Sequence, residues 1–200
     1  SGLVGSEMCI RDRVSIALGT AIQFECGMRQ RDVTGEWDED GRSPYLLRGR
    51  YWVNGLQWTD IKDGVLTKTT TKTGSVVTHD LSLLPLTSAL IASIPADQRM
   101  FGPVIMDELN QRPYAEHAYA REWRKVARAA GIPDDVWNMD ARSGAATEAD
   151  EAGASPEDIQ RVLGHSDVKT TMRYIRSQGL GRTQRVAKAR LTLRGLDDSK

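Results

Sequence analysis

Tyr174 follows His165 by nine residues within the stretch VLGHSDVKTTMRYIR. A phenol, with a pKa of about 10, is a weak nucleophile near neutral pH, so covalent chemistry at Tyr174 needs a site that activates it. The same residue also fits a core tyrosine on an amphipathic helix, and the spacing by itself leaves both readings open. The Leu163-Gly164-His165 turn, the Thr170-Thr171 pair and the helix breaks on both sides make a rarer combination than the spacing alone. His79 and His117 have no second histidine, cysteine or acidic cluster at ligand spacing, so both read as structural or surface groups. Cys9 and Cys26 are the only cysteines, which leaves no disulfide framework and no C-x-x-C metal spacing. Cys26 lies in an apolar stretch and reads as a small buried thiol, in keeping with a reducing cytoplasm.

The chain balances 27 Lys+Arg against 27 Asp+Glu, a total that by itself does not point to nucleic acid. The charges are unevenly placed. Residues 131–158 hold one basic residue, Arg142, and eight acidic ones, whereas residues 159–200 hold ten Lys+Arg and three Asp. Such a basic third can hold phosphates, although a solvated charged face gives the same pattern. No apolar run approaches the roughly 20 residues that span a bilayer, so no membrane partner is expected.

Several elements must position these residues. Val14, Leu18, Ala21 and Ile22 recur at helical spacing and predict a buried helix ending at Gly27. A short helix is expected from Asp32 to about Trp37, then a polar loop over 38–48. Tyr51-Trp52-Val53 and the stretch 56–61 are β-prone. Asp63-Gly64 and Thr73-Gly74 mark two hairpin turns flanking 65–71, and a strand over 76–81 follows, giving one small antiparallel sheet of about three strands. Pro85 precedes a helix through Leu90 to Ile94. Tyr119, Trp123, Val126 and Ala127 predict another, stopped by Gly131 and Pro133. A small-residue helix is expected over 141–152, and Ser155-Pro156-Glu157-Asp158 reads as a cap, a first-turn proline and first-turn acids for the next. Ser166 is a candidate cap for the helix carrying Tyr174, and a last amphipathic helix is expected over 184–193. The fold class is therefore α+β, mostly helical with one small sheet. The tryptophans read as core groups rather than base-stacking ones.

Read together, these stretches resemble the catalytic domain of the tyrosine recombinases, the phage-integrase family. LGHS followed by Tyr174 resembles its C-terminal signature. GMRQRD resembles its first-arginine box, with Arg29 as the arginine and Asp32 as the acid that distinguishes it from Arg31. GLQWTDI resembles the entry to its sheet, and TKTGS its lysine turn, with Lys72 the match and Lys68 the weaker one. Arg142 stands where the second arginine falls. The resemblance covers nearly all of 14–194 and departs in one box. The family's H-x-x-R run is here Met139-Asp140-Ala141-Arg142, and a methionine cannot take a proton at neutral pH.

The resemblance implies a site-specific recombination enzyme acting on double-stranded DNA. Tyr174 would attack a phosphodiester to give a 3′-phosphotyrosine link. Arg29 and Arg142 would hold the non-bridging oxygens, and His165 would hydrogen-bond them. Lys72 would protonate the departing 5′-hydroxyl. The link stores the energy of the broken bond, so no cofactor, ATP or metal is expected. Met139 puts proton removal from Tyr174 in doubt, with water or His165 as substitutes. Residues 14–195 would form the catalytic domain and 196–200 a tail. Residues 3–13, LVGSEMCIRDR, resemble a translated sequencing adapter, so 1–13 is expected to be non-native. An N-terminal DNA-clamping domain has no match here. A homo-tetramer on DNA is implied for the full-length protein, with the last helix docking on a neighbour or packing back on its own domain. The alternatives are an impaired DNA-binding remnant, a type IB topoisomerase and, in a different class, a helical regulatory or interaction domain.

Overall fold

The computed structural model describes residues 13–175 and 180–194, so residues 1–12 of the adapter-like run and the 196–200 tail lie outside the described residues. Helix α1 (Val14–Glu25) buries Ile16, Leu18, Ala21 and Ile22 and forms the central strut. Its start is held by Arg13, which pairs with Asp107 at 3.8 Å and Glu122 at 3.2 Å. Gly27 then turns the chain at φ +60°, in the left-handed region where L side chains are strained, and α2 (Gln30–Thr34) follows. Short α2 stops at Gly35, so Trp37, expected in the helix, lies in a strand instead.

Among the described residues, two small sheets are present rather than the one expected. In the first, β1 (Glu36–Asp38), β2 (Leu46–Leu47) and β3 (Arg50–Val53) are antiparallel in the order β1-β3-β2, with Trp37 opposite Trp52. The second, β4 (Ile61–Lys62), β5 (Val65–Thr69) and β6 (Val76–Asp80), is the sheet the turns at Gly64 and Gly74 predict. The β-prone stretch 56–61 is mostly not strand: a 3-10 turn over Trp58–Asp60 replaces it, because Asp60 Oδ2 accepts the Gln57 amide and closes a local cap. On β5 and β6, Leu66, Lys68, Val77 and His79 face inward.

Helix α3 (Pro85–Ser93) packs across α1. Helix α4 (Ala118–Ala129) buries Tyr119, Trp123 and Ala127 at spacings of four, and α5 (Asp140–Glu151) lies along α1. In α6 (Pro156–Leu163), Ser155 Oγ accepts the Asp158 amide and Gly164 ends the helix at φ +61°, as expected. Helix α7 (Val168–Tyr174) is capped by Asp167, whose Oδ1 accepts the Thr170 amide at 2.8 Å, one residue after the expected Ser166. Asp167 wins because its second oxygen also accepts the Thr170 hydroxyl, at 2.9 Å. Helix α8 (Leu180–Leu193) starts before the expected 184 and packs back on α5 through Arg185, which meets Asp150 at 3.5 Å, while Val186 and Leu193 stay exposed.

The main core gathers around Leu18, Ile22, Met28, Val33, Leu56, Leu66 and Trp123. A second, smaller one joins Ala146, Ile159 and Leu163, with Tyr174 and Ile175 on its rim. Complete burial of Leu163 contributes roughly 1.5–3 kcal/mol. The two cores meet at Gly27, where any Cβ would lie 2.5 Å from Leu163 Cδ2. A tethered seam between α1–α2 and α5–α7 is thus the place where the candidate residues converge.

Candidate active site

Arg29 caps α2 at the end of the Gly27 turn, and its Nη1 faces Asp32 Oδ2 at 3.7 Å. The buried Asp32 turns its other oxygen to the hairpin, where Oδ1 accepts the Thr71 amide at 2.7 Å. One carboxylate therefore joins the first arginine to the lysine turn. Both Arg29 Nη1 and Asp32 Oδ2 are buried without a hydrogen-bond partner among the described residues. Lys72 sits exposed at the hairpin tip between β5 and β6. Lys68, the weaker candidate, is buried and donates to Gly55 O at 2.7 Å and Asp60 Oδ2 at 3.5 Å, so it braces the sheet.

Arg142 lies in the first turn of α5, 5% exposed. Its Nη1 donates to Gly27 O, and Nη2 donates to Leu163 O at 2.6 Å and meets His165 Nε2 at 2.8 Å. Three of the five guanidinium N–H groups are thus engaged, the Tyr174 side chain is a further hydrogen-bond partner, and Nε–H has no partner among the described residues. Burial, and then the positive charge of Arg29, lower its pKa to about 10, which keeps it charged near neutral pH.

His165 has both ring nitrogens occupied. Arg142 can only donate, so Nε2 accepts, and Nδ1 carries the proton and donates to Thr171 Oγ1 at 2.9 Å. Burial first, then Arg142, Arg29 and Lys72, push the imidazole down to about 4, so it is neutral near pH 7. The hairpin tip is tied to the histidine turn through Thr73, whose Oγ1 donates to Gly164 O at 2.9 Å. The Tyr174 ring lies 4.9 Å from the His165 ring, and the Arg142 guanidinium carbon lies 5.4 Å from its centroid.

Four of the five predicted side chains, Arg29, Arg142, His165 and Tyr174, therefore meet at the seam, with Lys72 on the adjoining hairpin. Met139 does not join them. It is 73% exposed, at the start of α5. Its neighbour Asn138 is buried instead and donates to Gln23 Oε1 at 3.0 Å and Gln30 Oε1 at 2.8 Å. This amide cluster tethers the start of α5 to α1 and α2, and the sequence gives no periodic signal for it. Thr171 orients His165, a role that only its place six residues further on, one helical turn into α7, hints at. Among the tryptophans, Trp52, Trp58 and Trp123 are buried as expected, but Trp137 is 61% exposed. It lies over Arg124, which is placed between Trp123 and Trp137 at 5.1 and 5.2 Å. Cys26 is buried as expected, and burial pushes its thiol up to about 12. His79 is buried and His117 is exposed beside Glu116. No described helix is long and apolar enough to cross a membrane. Among the described residues, no cluster of three or more His, Cys, Asp or Glu has a metal-binding arrangement.

Chemically, the seam offers fixed cationic donors around a phenol, an arrangement suited to an oxyanion beside a nucleophile. The chain matches the family model described as "Phage integrase family" over residues 53–179, more than half its length. No curated protein sequence matches. Among solved structures, a λ integrase dimer bound to a COC′ core site is similar at 16% identity and a TM-score of 0.59, covering 90% of this chain and 58% of that one. XerA recombinase is similar at 14% identity and a TM-score of 0.59, covering 92% and 59%. The λ integrase catalytic core is similar at 16% identity and a TM-score of 0.56, covering 83% and 90%. At these identities the likeness is one of fold. The chain spans less than two thirds of the length of the λ integrase and XerA chains.

Proposed function

From the premise that the chain belongs to the phage integrase family, we propose that it breaks and rejoins strands of double-stranded DNA in site-specific recombination, with Tyr174 as the nucleophile. The observation that carries this reading is the single guanidinium of Arg142, which holds His165 Nε2 and lies against the Tyr174 ring. In the reaction the Tyr174 oxygen bonds to phosphorus and the P–O5′ bond breaks. The phenolic proton passes to water, because both ring nitrogens of His165 are already engaged. Lys72 gives a proton to O5′ as it departs. Arg29 and Arg142, with Nε–H of Arg142 still available, hold the non-bridging oxygens as their charge grows. The 3′-phosphotyrosine ester keeps the energy of the phosphodiester, so a 5′-hydroxyl can displace the tyrosine without ATP.

Residues 14–195 act in this reading as the catalytic domain, in the cytoplasm, and full-length protomers assemble as a tetramer on DNA. A λ integrase of similar fold is described as a tetramer bound to a Holliday junction, at a TM-score of 0.55, which supports that part of the reading. A second reading, a DNA-binding remnant without cleavage activity, is favoured by one observation: exposed Met139 offers no proton acceptor where the family has histidine.

The test is a duplex of the cognate exchange site, nicked so that the cleaved strand loses its 5′-hydroxyl fragment. The protein is expected to become covalently attached to the 3′ end, and Tyr174→Phe to lose the adduct. Salt-sensitive binding with no adduct would establish the remnant instead.

A further inference from the structure

The hairpin that carries Lys72 is fastened to the histidine turn by a short chain of hydroxyls. Thr73 Oγ1 donates to the carbonyl of Gly164 at 2.9 Å. A hydroxyl has one proton, so with that proton committed Thr73 must accept from Thr70 Oγ1, 2.7 Å away. Gly164 makes the approach possible. It adopts φ +61°, and a Cβ there would meet Thr70 Cγ2 and Val77 Cγ1, both at 3.2 Å. The residue before it supplies the carbonyl that accepts from Arg142, and the residue after it is His165 itself. Three consecutive residues, 163–165, therefore hold Arg142, the lysine turn and the imidazole in one register. On its other flank the turn is fixed by Asp32, which accepts the Thr71 amide, and within itself by the Gly74 amide on Thr70 O at 2.9 Å.

We infer that Thr73 is a positioning residue for Lys72: its bond to the Gly164 carbonyl sets where the lysine ammonium stands relative to the scissile phosphate. The inference rests on the recombinase reading above. Lys72 acts on the leaving group alone. As P–O5′ breaks, the oxygen needs a proton from the ammonium, which becomes a neutral amine. A 5′-bridging sulfur leaves as a stable thiolate and needs no proton. A misplaced Lys72 should therefore slow cleavage of the oxygen substrate and spare the sulfur one, whereas damage to the fold or to DNA binding slows both.

The experiment compares single-turnover cleavage by wild type, Thr73→Val and Thr73→Ser on matched 5′-oxygen and 5′-sulfur duplexes. Amide exchange of the DNA-free proteins is followed in parallel. Thr73→Val is expected to lose about 10- to 10²-fold on oxygen, part of the roughly 10²- to 10⁴-fold that general acid catalysis supplies, and less than about 3-fold on sulfur. Thr73→Ser, which keeps the hydroxyl, should match wild type on both. In the free protein, Thr73→Val should speed exchange of the Thr71 and Gly74 amides by about tenfold and leave the β5–β6 ladder unchanged. Equal losses on both substrates, or unchanged exchange at Thr71 and Gly74, would overturn the inference. An inactive wild type would count against the recombinase reading instead, and the exchange result would still decide whether Thr73 holds the turn.

Discussion

The two flanks of Arg142 are built differently. On one side lies His165, buried, held at both ring nitrogens and made neutral by its surroundings. On the other lies Met139, 73% exposed and chemically inert toward protons, with its anchoring function passed to the buried Asn138. The first flank fixes cationic donors where phosphate charge would grow. The second would leave the phenolic proton to water, since His165 is engaged at both nitrogens. Stabilising charge and moving protons are thus separable demands on such a site, and this chain has invested in the former.

The largest effect expected from breaking this contrast is at Arg142. Arg142→Ala should cut covalent adduct formation by at least about 10²- to 10³-fold, as does loss of one oxyanion donor elsewhere. It should also destabilise the protein, because Gly27 O, Leu163 O and His165 Nε2 lose a buried donor, at roughly 1–3 kcal/mol for a group left unsatisfied. Denaturant unfolding and single-turnover cleavage measure the two losses separately. Restoring the other flank should act in the opposite sense. Met139→His is expected to raise the cleavage rate by about tenfold or more, within the range general-base help provides, and to add a pH-dependent step near the histidine pKa. An unchanged rate would show that water already meets the need or that the exposed position 139 does not reach the phenol.

The pH dependence of stability should be smaller and directional. His165 titrates near 6.5 in the unfolded chain and at about 4 when folded, so between those values the unfolded state binds more protons. Its contribution is complete above about pH 6.5 and is lost as pH falls through about 4. Thermal midpoints of wild type should therefore drop more steeply over that window than those of His165→Gln. The smallest effect is at Cys26, whose burial and raised pKa should leave it unreactive toward thiol reagents in the native protein at neutral pH.

What could be read from the sequence was mostly local. Ser155-Pro156 and Gly164 bound α6 because caps and left-handed glycines act within one turn. Thr73-Gly74 separated Lys72 from Lys68 because a turn tip and a strand interior differ in position alone; the structure adds Asp60 and Gly55 as the reason Lys68 is buried. The first sheet escaped notice because Trp52 finds Trp37 across a loop, a pairing that neither stretch encodes by itself. Asp167 displaced Ser166 as the α7 cap through a second bond to Thr170, which composition does not rank. At the site, the residue types and their order were legible. The connections among them were not: Asp32 to Thr71, Thr73 to Gly164 and Asn138 to Gln23 join positions 39, 91 and 115 residues apart.

The most direct measurement is the identity of the atom joined to DNA. After reaction with a nicked cognate duplex, nuclease and trypsin should release the peptide Tyr174-Ile175-Arg176, bounded by Arg173 and Arg176, carrying a 3′-linked nucleotide on the phenolic oxygen. Mass spectrometry of that peptide would confirm Tyr174 as the nucleophile. A nucleotide on any other residue, or cleavage with no protein-linked nucleotide, would contradict it.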